Sequence, residues 1–303
     1  MRAMIPDGTG SVVEADVAEP APAAGEVVVT VEAYSVNRGE TFLLEAPPRG
    51  WRPGKDVAGV VASVGPGVHG LEVGQPVVAH PEHSGWAERV AVAADRLAPR
   101  PADMPATVAA ALPLAGLTAL RLVRLIGALP GRSILLTGAS GGVGHYFVEL
   151  ATGLGARITA LTASRPRGRR LAELGAEVLT DLTAARGGYD VVVESVGGAY
   201  FMATWRLLDP HGLFVWMGQA SRERPLLDFF DWTGGTSATL RRFDYTASPV
   251  SVADDLVTLL RLVHTGRLHP ELGLVAEWEN TPEVLADLIR RRVRGNAVLE
   301  VTS

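Results

Sequence analysis

A chain of 303 residues, 47% hydrophobic and 20% charged, is long enough to bury a core and more naturally forms two domains than one; this balance excludes a disordered chain. Its formal net charge of -5 gives bulk electrostatics no reason to favour nucleic acid or an anionic membrane. It has no cysteine, which excludes disulfides, thiolate nucleophiles and cysteine-ligated zinc.

In chain order, the opening Met1-Arg2-Ala3-Met4 leads into polar residues and glycine, not the apolar core of a signal peptide. Residues 27–33, after a turn at 20–25, read as a strand, as do 57–64, 75–79 and 87–93. Short strands separated by Gly and Pro predict a closed or curled antiparallel unit. The texture changes near residues 101–105. Residues 107–127 are Ala- and Leu-rich at helical spacing and predict one helix. Pro113, Gly116, Arg121 and Arg124 interrupt this stretch too often for a membrane span, so a cytoplasmic protein is expected. Strands at 134–137, 158–161, 189–194 and 212–217 then alternate with helices at 142–152, 169–174 and 200–208, the pattern of a doubly wound parallel sheet. Two amphipathic helices follow at 250–265 and 282–293, the second with Thr281 as N-cap and Pro282 in the first turn. A final strand at 297–301 needs a sheet to join, and the first domain is the natural host. The parallel-sheet unit would then be an insertion within that domain.

The sharpest motif runs from Ile134 to Gly144, where a strand enters a glycine cluster and then a helix. Aligned on its last glycine, the G-x-G-x-x-G pattern has Ala139 first, then Gly141 and Gly144. Small residues permit the tight turn, and the N–H groups of the helix start suit a pyrophosphate. The bland alternative, a Gly-rich surface loop, ignores the strand–loop–helix order. Cofactor choice is legible about 20 residues on. An NAD site calls for Asp or Glu there to accept from the ribose hydroxyls. No acidic residue occurs between Glu149 and Glu173, and Thr162-Ala163-Ser164-Arg165-Pro166-Arg167 stands instead. A hydroxyl and guanidinium groups hold a 2′-phosphate, so NADP is expected. A solvated basic helix face would explain the arginines but not the missing carboxylate.

These motifs resemble those of the medium-chain dehydrogenase/reductase superfamily, specifically its zinc-independent quinone oxidoreductase branch. Val36-Asn37-Arg38-Gly39-Glu40 is similar to V-N-P-x-D. Pro53-Gly54-Lys55-Asp56-Val57-Ala58-Gly59 is similar to P-G-x-D-x-A-G, and Leu112-Pro113-Leu114-Ala115-Gly116-Leu117-Thr118-Ala119 to A-L-P-x-x-G-L-T-A. Leu174-Gly175-Ala176, Glu194-Ser195-Val196-Gly197 and Gly295-Asn296-Ala297-Val298-Leu299 follow in family order. The resemblance implies an α/β fold in two parts: a GroES-like, mainly β domain over residues 1–106 and 244–303, and a Rossmann doubly wound parallel-sheet domain over 107–243. It implies NADP in the cleft between them, a small-molecule quinone or enone substrate, and a homodimer formed through Rossmann edge strands. Position by position it implies cofactor contacts from Asn37, Thr118, Gly141, Gly142, Val143, Gly144, Ser164, Arg167, Val196 and Gly218. Zinc-dependent relatives carry Cys near position 37, His at the position of Lys55 and a third ligand near Leu114. None is present, so no metal is expected. Departures from the family pattern at Arg38, Glu40, Trp86 and Asn296 point to an altered pocket.

Hydride transfer without a Lewis acid suits a conjugated carbonyl or a quinone, where charge grows on oxygen. Asn37 is placed to donate a hydrogen bond there. Tyr34 has two readings, a proton source or a packing residue on an alternating strand. His80 and His83 have the right acidity for proton transfer, but they read first as solvated loop histidines, and solvent can serve as the acid. Glu40 and Asp56 read as structural carboxylates, with Lys55 as a partner for one of them. Trp51, Trp86, Trp216 and Trp232 either line a flat pocket or pack in the core. The expected function is NADPH-dependent reduction of a quinone or of the C=C bond of an α,β-unsaturated carbonyl compound. A ketone reductase or alcohol dehydrogenase, and a non-catalytic nucleotide-binding protein on the same scaffold, are the alternatives.

Overall fold

The computed structural model of the chain describes residues 1–302 apart from 229 and 231. Contacts divide it into one unit of Met1–Leu117 and Pro249–Ser303 and a second of Thr118–Ser248.

The first unit starts with a two-stranded ribbon, β1 (Arg2–Pro6) and β2 (Val12–Asp16). β3 (Glu26–Val36) follows, and its alternating valines with Tyr34 supply much of the core. The helix α1 (Arg38–Glu45) then interrupts the β texture. It was not expected from periodicity, yet its signal is in the sequence: Asn37 at the N-cap and Glu40 three residues on, whose carboxylate accepts the Asn37 N–H at 3.1 Å. Strands β4 (Val57–Val64), β5 (Pro76–Ala79), β6 (Arg89–Ala93) and β7 (Leu97–Pro99) come next. The single helix expected over 107–127 is two, α2 (Ala106–Ala110) and α3 (Pro113–Ile126). Pro113 has no N–H to donate and begins the second helix, a position that suits its fixed φ. The boundary between units falls inside α3. Its first turn is held in the first unit by the Leu114 N–H, 2.9 Å from Asp56.

The second unit is a six-stranded sheet with all pairs parallel. Its strands are β8 (Ser133–Leu136), β9 (Arg157–Leu161), β10 (Glu177–Leu179), β11 (Tyr189–Glu194), β12 (Leu208–Trp216) and β13 (Thr239–Arg242). Helices α4 (Gly142–Gly153), α5 (Arg165–Glu173) and α6 (Ala199–Trp205) connect them. The strand order is β10-β9-β8-β11-β12-β13. This is the 3-2-1-4-5-6 order of a Rossmann fold, and its switch point lies between β8 and β11.

The chain then returns to the first unit through α7 (Val252–His264), β14 (Leu272–Glu277), α8 (Thr281–Ile289) and β15 (Asn296–Glu300). β15 pairs antiparallel with β3, Leu299 opposite Tyr34, and parallel with β14. Ser251 caps α7 by accepting the Asp254 N–H at 3.0 Å. α8 departs from expectation. Its N-cap is Asn280, Thr281 is already helical, and the helix stops at Ile289, with Arg291 just beyond in the left-handed region at φ 59°. Among the described residues no helix is long and apolar enough to cross a membrane.

Candidate active site

The loop after β8 sits at the switch point, where a doubly wound sheet binds ligands. Gly138 makes the turn at φ 62°, and a Cβ there would lie 2.5 Å from the Ser195 hydroxyl. The turn glycine is therefore Gly138, one residue before the Ala139 that the motif alignment put first. Gly141 is the N-cap of α4. Gly144 serves packing, since a Cβ there would sit 2.0 Å from the Ala139 carbonyl oxygen. The first backbone bond of the helix runs from the His145 N–H to the Gly141 carbonyl at 3.2 Å. The N–H groups of Gly142, Val143 and Gly144 thus open the helix without a carbonyl four residues back, the arrangement that binds an anion.

At the end of β9, Ser164 is the N-cap of α5, and its hydroxyl makes no capping bond. Arg167 is half-buried, and its Nε donates to the Ser140 hydroxyl at 3.0 Å. Arg167 thereby ties the start of α5 to the loop that carries Gly141 and Gly142. Arg165 and Arg169 are exposed.

Val196 follows β11, and Gly218 follows β12. Both are fixed by Glu194, a fully buried carboxylate whose place in Glu194-Ser195-Val196-Gly197 does not by itself announce this role. It accepts from Val196 N–H at 2.7 Å, from Gly197 N–H at 3.0 Å and from the Thr137 hydroxyl at 3.1 Å. Its pKa is raised by burial, against these hydrogen bonds. The Gly218 N–H points back to the Glu194 carbonyl at 3.3 Å. A Cβ at Gly218 would lie 3.2 Å from the Ser195 carbonyl oxygen, a second close backbone approach. Thr118 lies on α3 and is buried. The loop residues, Ser164, Arg167, Val196 and Gly218 thus share the carboxyl end of one sheet.

In the first unit, Asn37 is half-buried between β3 and α1. Its Nδ2 donates to Asp56 Oδ2 at 2.7 Å. Asp56 is fully buried and also accepts from the Ser35 hydroxyl at 2.7 Å, from His80 Nδ1 at 3.0 Å and from the Leu114 N–H. Glu40, also buried, accepts the N–H groups of Asn37 and Gly54. Burial, reinforced by the charge of Asp56, pushes its pKa up to about 8, while Lys55 acts the other way.

Two residues that had two readings, Tyr34 and Trp86, take the packing one, and one expectation, at His80, needs correction. Tyr34 lies in the core of the first unit. It has no exposed surface, its ring stacks on Trp86 at 5.7 Å, and its hydroxyl bonds Thr281 at 2.7 Å. Burial raises its pKa far above the ordinary phenol value, which disfavours proton release. Trp86 is likewise core, its Nε1 donating to the Ser35 carbonyl at 3.0 Å. His80 is no solvated loop histidine: it is fully buried, and its Nδ1 lies 2.8 Å from the Lys55 carbonyl as well as against Asp56. Of the other residues singled out, His83 bonds the neighbouring Ser84 hydroxyl. Trp51 packs on the core of the first unit, and Trp216 and Trp232 pack in the second. No group of three or more His, Asp or Glu side chains able to hold a metal occurs among the described residues.

Residues 23–105 match the alcohol dehydrogenase GroES-like domain model, and residues 174–299 match a model described as zinc-binding dehydrogenase. A chloroplastic quinone-oxidoreductase homolog of Spinacia oleracea is 32% identical over 229 residues, 67% of this chain and 68% of that protein. NorB, a spectinabilin polyketide synthase system protein of Streptomyces orinoci, is 35% identical over 291 residues, 91% of this chain. The chain spans only 13% of the length of NorB. Among solved structures, a mycobacterial protein complexed with NADPH superposes with a TM-score of 0.90 at 25% identity, covering 99% of this chain and 100% of that one. With these matches, a GroES-like unit and a 3-2-1-4-5-6 Rossmann sheet, the chain belongs to the zinc-independent quinone oxidoreductase branch of the medium-chain dehydrogenase/reductase superfamily.

Proposed function

We propose that this chain is an NADPH-dependent oxidoreductase that reduces a quinone or the C=C bond of an α,β-unsaturated carbonyl compound. The observation that carries the reading is the end of β9. No carboxylate stands there to accept from a ribose hydroxyl, while the uncapped Ser164 hydroxyl and the Arg167 guanidinium flank the start of α5. The residues present fit the cofactor: Gly138 and Gly144 let the backbone close around a compact loop, and the N–H groups of Gly142 and Val143 are left to meet a pyrophosphate. The NADPH named in the mycobacterial structure supports the same assignment.

NADPH, when bound, supplies the hydride. The chain's own residues hold and orient. The N–H groups of Gly142 and Val143 would bind the pyrophosphate, with Gly141 and Gly144 shaping the loop around it, and Ser164 and Arg167 would bind the 2′-phosphate through charge-assisted hydrogen bonds. Thr118, Val196 and Gly218 are assigned to the nicotinamide half through their match to the family motifs. Asn37 is assigned the acceptor oxygen, on which negative charge grows. With Tyr34 sealed in the core, solvent is the proton source.

The test is NADPH oxidation with a panel of benzoquinones, naphthoquinones, enones and α,β-unsaturated thioesters, with product analysis for each accepted compound. Turnover on at least one class, with NADPH preferred over NADH, is the expected result. Reduction of C=O alone would make the protein a ketone reductase. Cofactor binding without oxidation by any acceptor would make it a nucleotide-binding protein.

A further inference from the structure

Asp56 gathers four polar partners, and the reaction proposed above leaves it unused. Ser35 and Asn37 donate to its Oδ2, both at 2.7 Å. His80 Nδ1 and the Leu114 N–H donate to its Oδ1, at 3.0 and 2.9 Å. The Lys55 carbonyl, 2.8 Å from the same His80 nitrogen, can only accept, so Nδ1 carries the proton. His80 is itself anchored, its backbone N–H on the Arg96 carbonyl and its carbonyl taking Arg96 Nε. An ionised carboxylate only accepts, and has room for about four donors. Asp56 has four, from β3, from the α1 cap, from the end of β5 and from the first turn of α3.

We propose that Asp56 is the positioning residue of the active site: its carboxylate fixes which way the Asn37 amide faces. The oxygen and nitrogen of a free asparagine amide interchange by a half-turn. Here the half-turn would set an amide oxygen 2.7 Å from a buried carboxylate oxygen with no proton between them, so the nitrogen is held inward. One Nδ2 proton is committed to Asp56. The other has only a contact of 3.5 Å with the Ser35 hydroxyl, and it is the proton Asn37 has to offer a ligand. Burial divides the labour. Asp56 has no exposed surface, whereas Asn37 is partly open. The fixed negative charge is kept behind a neutral amide, so the group that meets developing charge on an acceptor oxygen is a donor, not an anion. The inference rests on the proposed role of Asn37.

The experiment is a double-mutant cycle on the full chain, combining Asp56→Asn with Asn37→Ala and reading kcat, acceptor KM and the NADPH dissociation constant. If Asp56 acts through Asn37, Asp56→Asn lowers kcat by about tenfold or more and changes NADPH affinity less than about twofold, and the double variant is no slower than Asn37→Ala alone. A loss of the same factor in both backgrounds makes Asp56 merely structural and overturns the proposal, as does full turnover of either single variant. If Asp56→Asn does not fold, the native protein with NADPH bound decides by NMR. The side-chain amide pair that disappears in Asn37→Ala should show two well-separated protons, one of them slow to exchange. An averaged, rapidly exchanging pair overturns the positioning. Native protein that oxidises NADPH with no acceptor fails the proposed reaction, while the amide spectrum still tests Asp56.

Discussion

Arg167 serves two masters, which complicates its removal. Its Nε holds Ser140 in the pyrophosphate loop, and its remaining guanidinium nitrogens are assigned to the 2′-phosphate. The double variant Ser164→Ala with Arg167→Ala should weaken NADPH binding by roughly 1–2 kcal/mol per lost contact and leave NADH nearly unchanged. Ser140→Ala is the control for the loop, and any NADH loss it shares with the double variant measures the structural part. Calorimetric titration of both cofactors at fixed ionic strength checks this; equal weakening of the two would remove these residues from the 2′-phosphate site. Glu40 gives a pH signature. Its folded pKa of about 8 lies above the unfolded value of 4.5, so the protonated form is favoured by folding. The native state then loses stability as pH rises from 4.5 to about 8, by up to about 5 kcal/mol, and the loss levels off above that. Urea midpoints at pH 5 and pH 8 should differ for the native chain and converge for Glu40→Gln; an unchanged difference would show that another group titrates. Single residues were legible in the sequence where local backbone geometry demands a type at a spacing: the glycine cluster does run from a strand into a helix, with Gly141 at the N-cap of α4 and Gly144 in close contact with the Ala139 carbonyl. The roles of Gly138, Glu194 and Asp56 were not, because each depends on partners far along the chain: Ser195 for Gly138, Thr137 for Glu194, and His80 and Leu114 for Asp56.

The elements that periodicity found are those with one long apolar face, β3 and β4 in the first unit and β8, β11 and α4 in the second. Short edge pieces escaped it. β10, β13 and β14 are three to six residues long, and none has a buried residue to announce it. α1 escaped because Gly39 and Thr41 dilute its helical character, and only its cap marks it. The packing of α8 on β3 explains the packing role of Tyr34. Thr281, in the first turn of α8, donates its one hydroxyl proton to the Trp278 carbonyl and so accepts from the Tyr34 hydroxyl, which makes the tyrosine oxygen a tie between two elements. Tyr34→Phe should cost about 1 kcal/mol of stability and leave turnover unchanged. A large drop in kcat with unaltered stability would return Tyr34 to the chemistry.

At the scale of the molecule, the six-stranded sheet ends on β13, whose four residues are all exposed, Leu240 among them. An edge strand so open invites pairing with a second copy. The native chain should sediment at twice its mass of 31.9 kDa, and Leu240→Glu should shift it toward the single mass by placing a charge on each edge. A native monomer at micromolar concentration would refute this.

The pairing of β15 with β3 also has a consequence for how the chain is made. The strands of the second unit lie together in sequence, from Ser133 to Arg242, so its sheet can form as soon as that stretch is synthesised. The half of β3 from Ala33 to Val36 has to wait for residues 297–300. At ~5–20 residues per second, the interval is on the order of tens of seconds. Throughout it, the strand edge that leads directly into Asn37 is open on the ribosome, a target for chaperones or for wrong partners, and the first unit is completed only after the unit inserted within it.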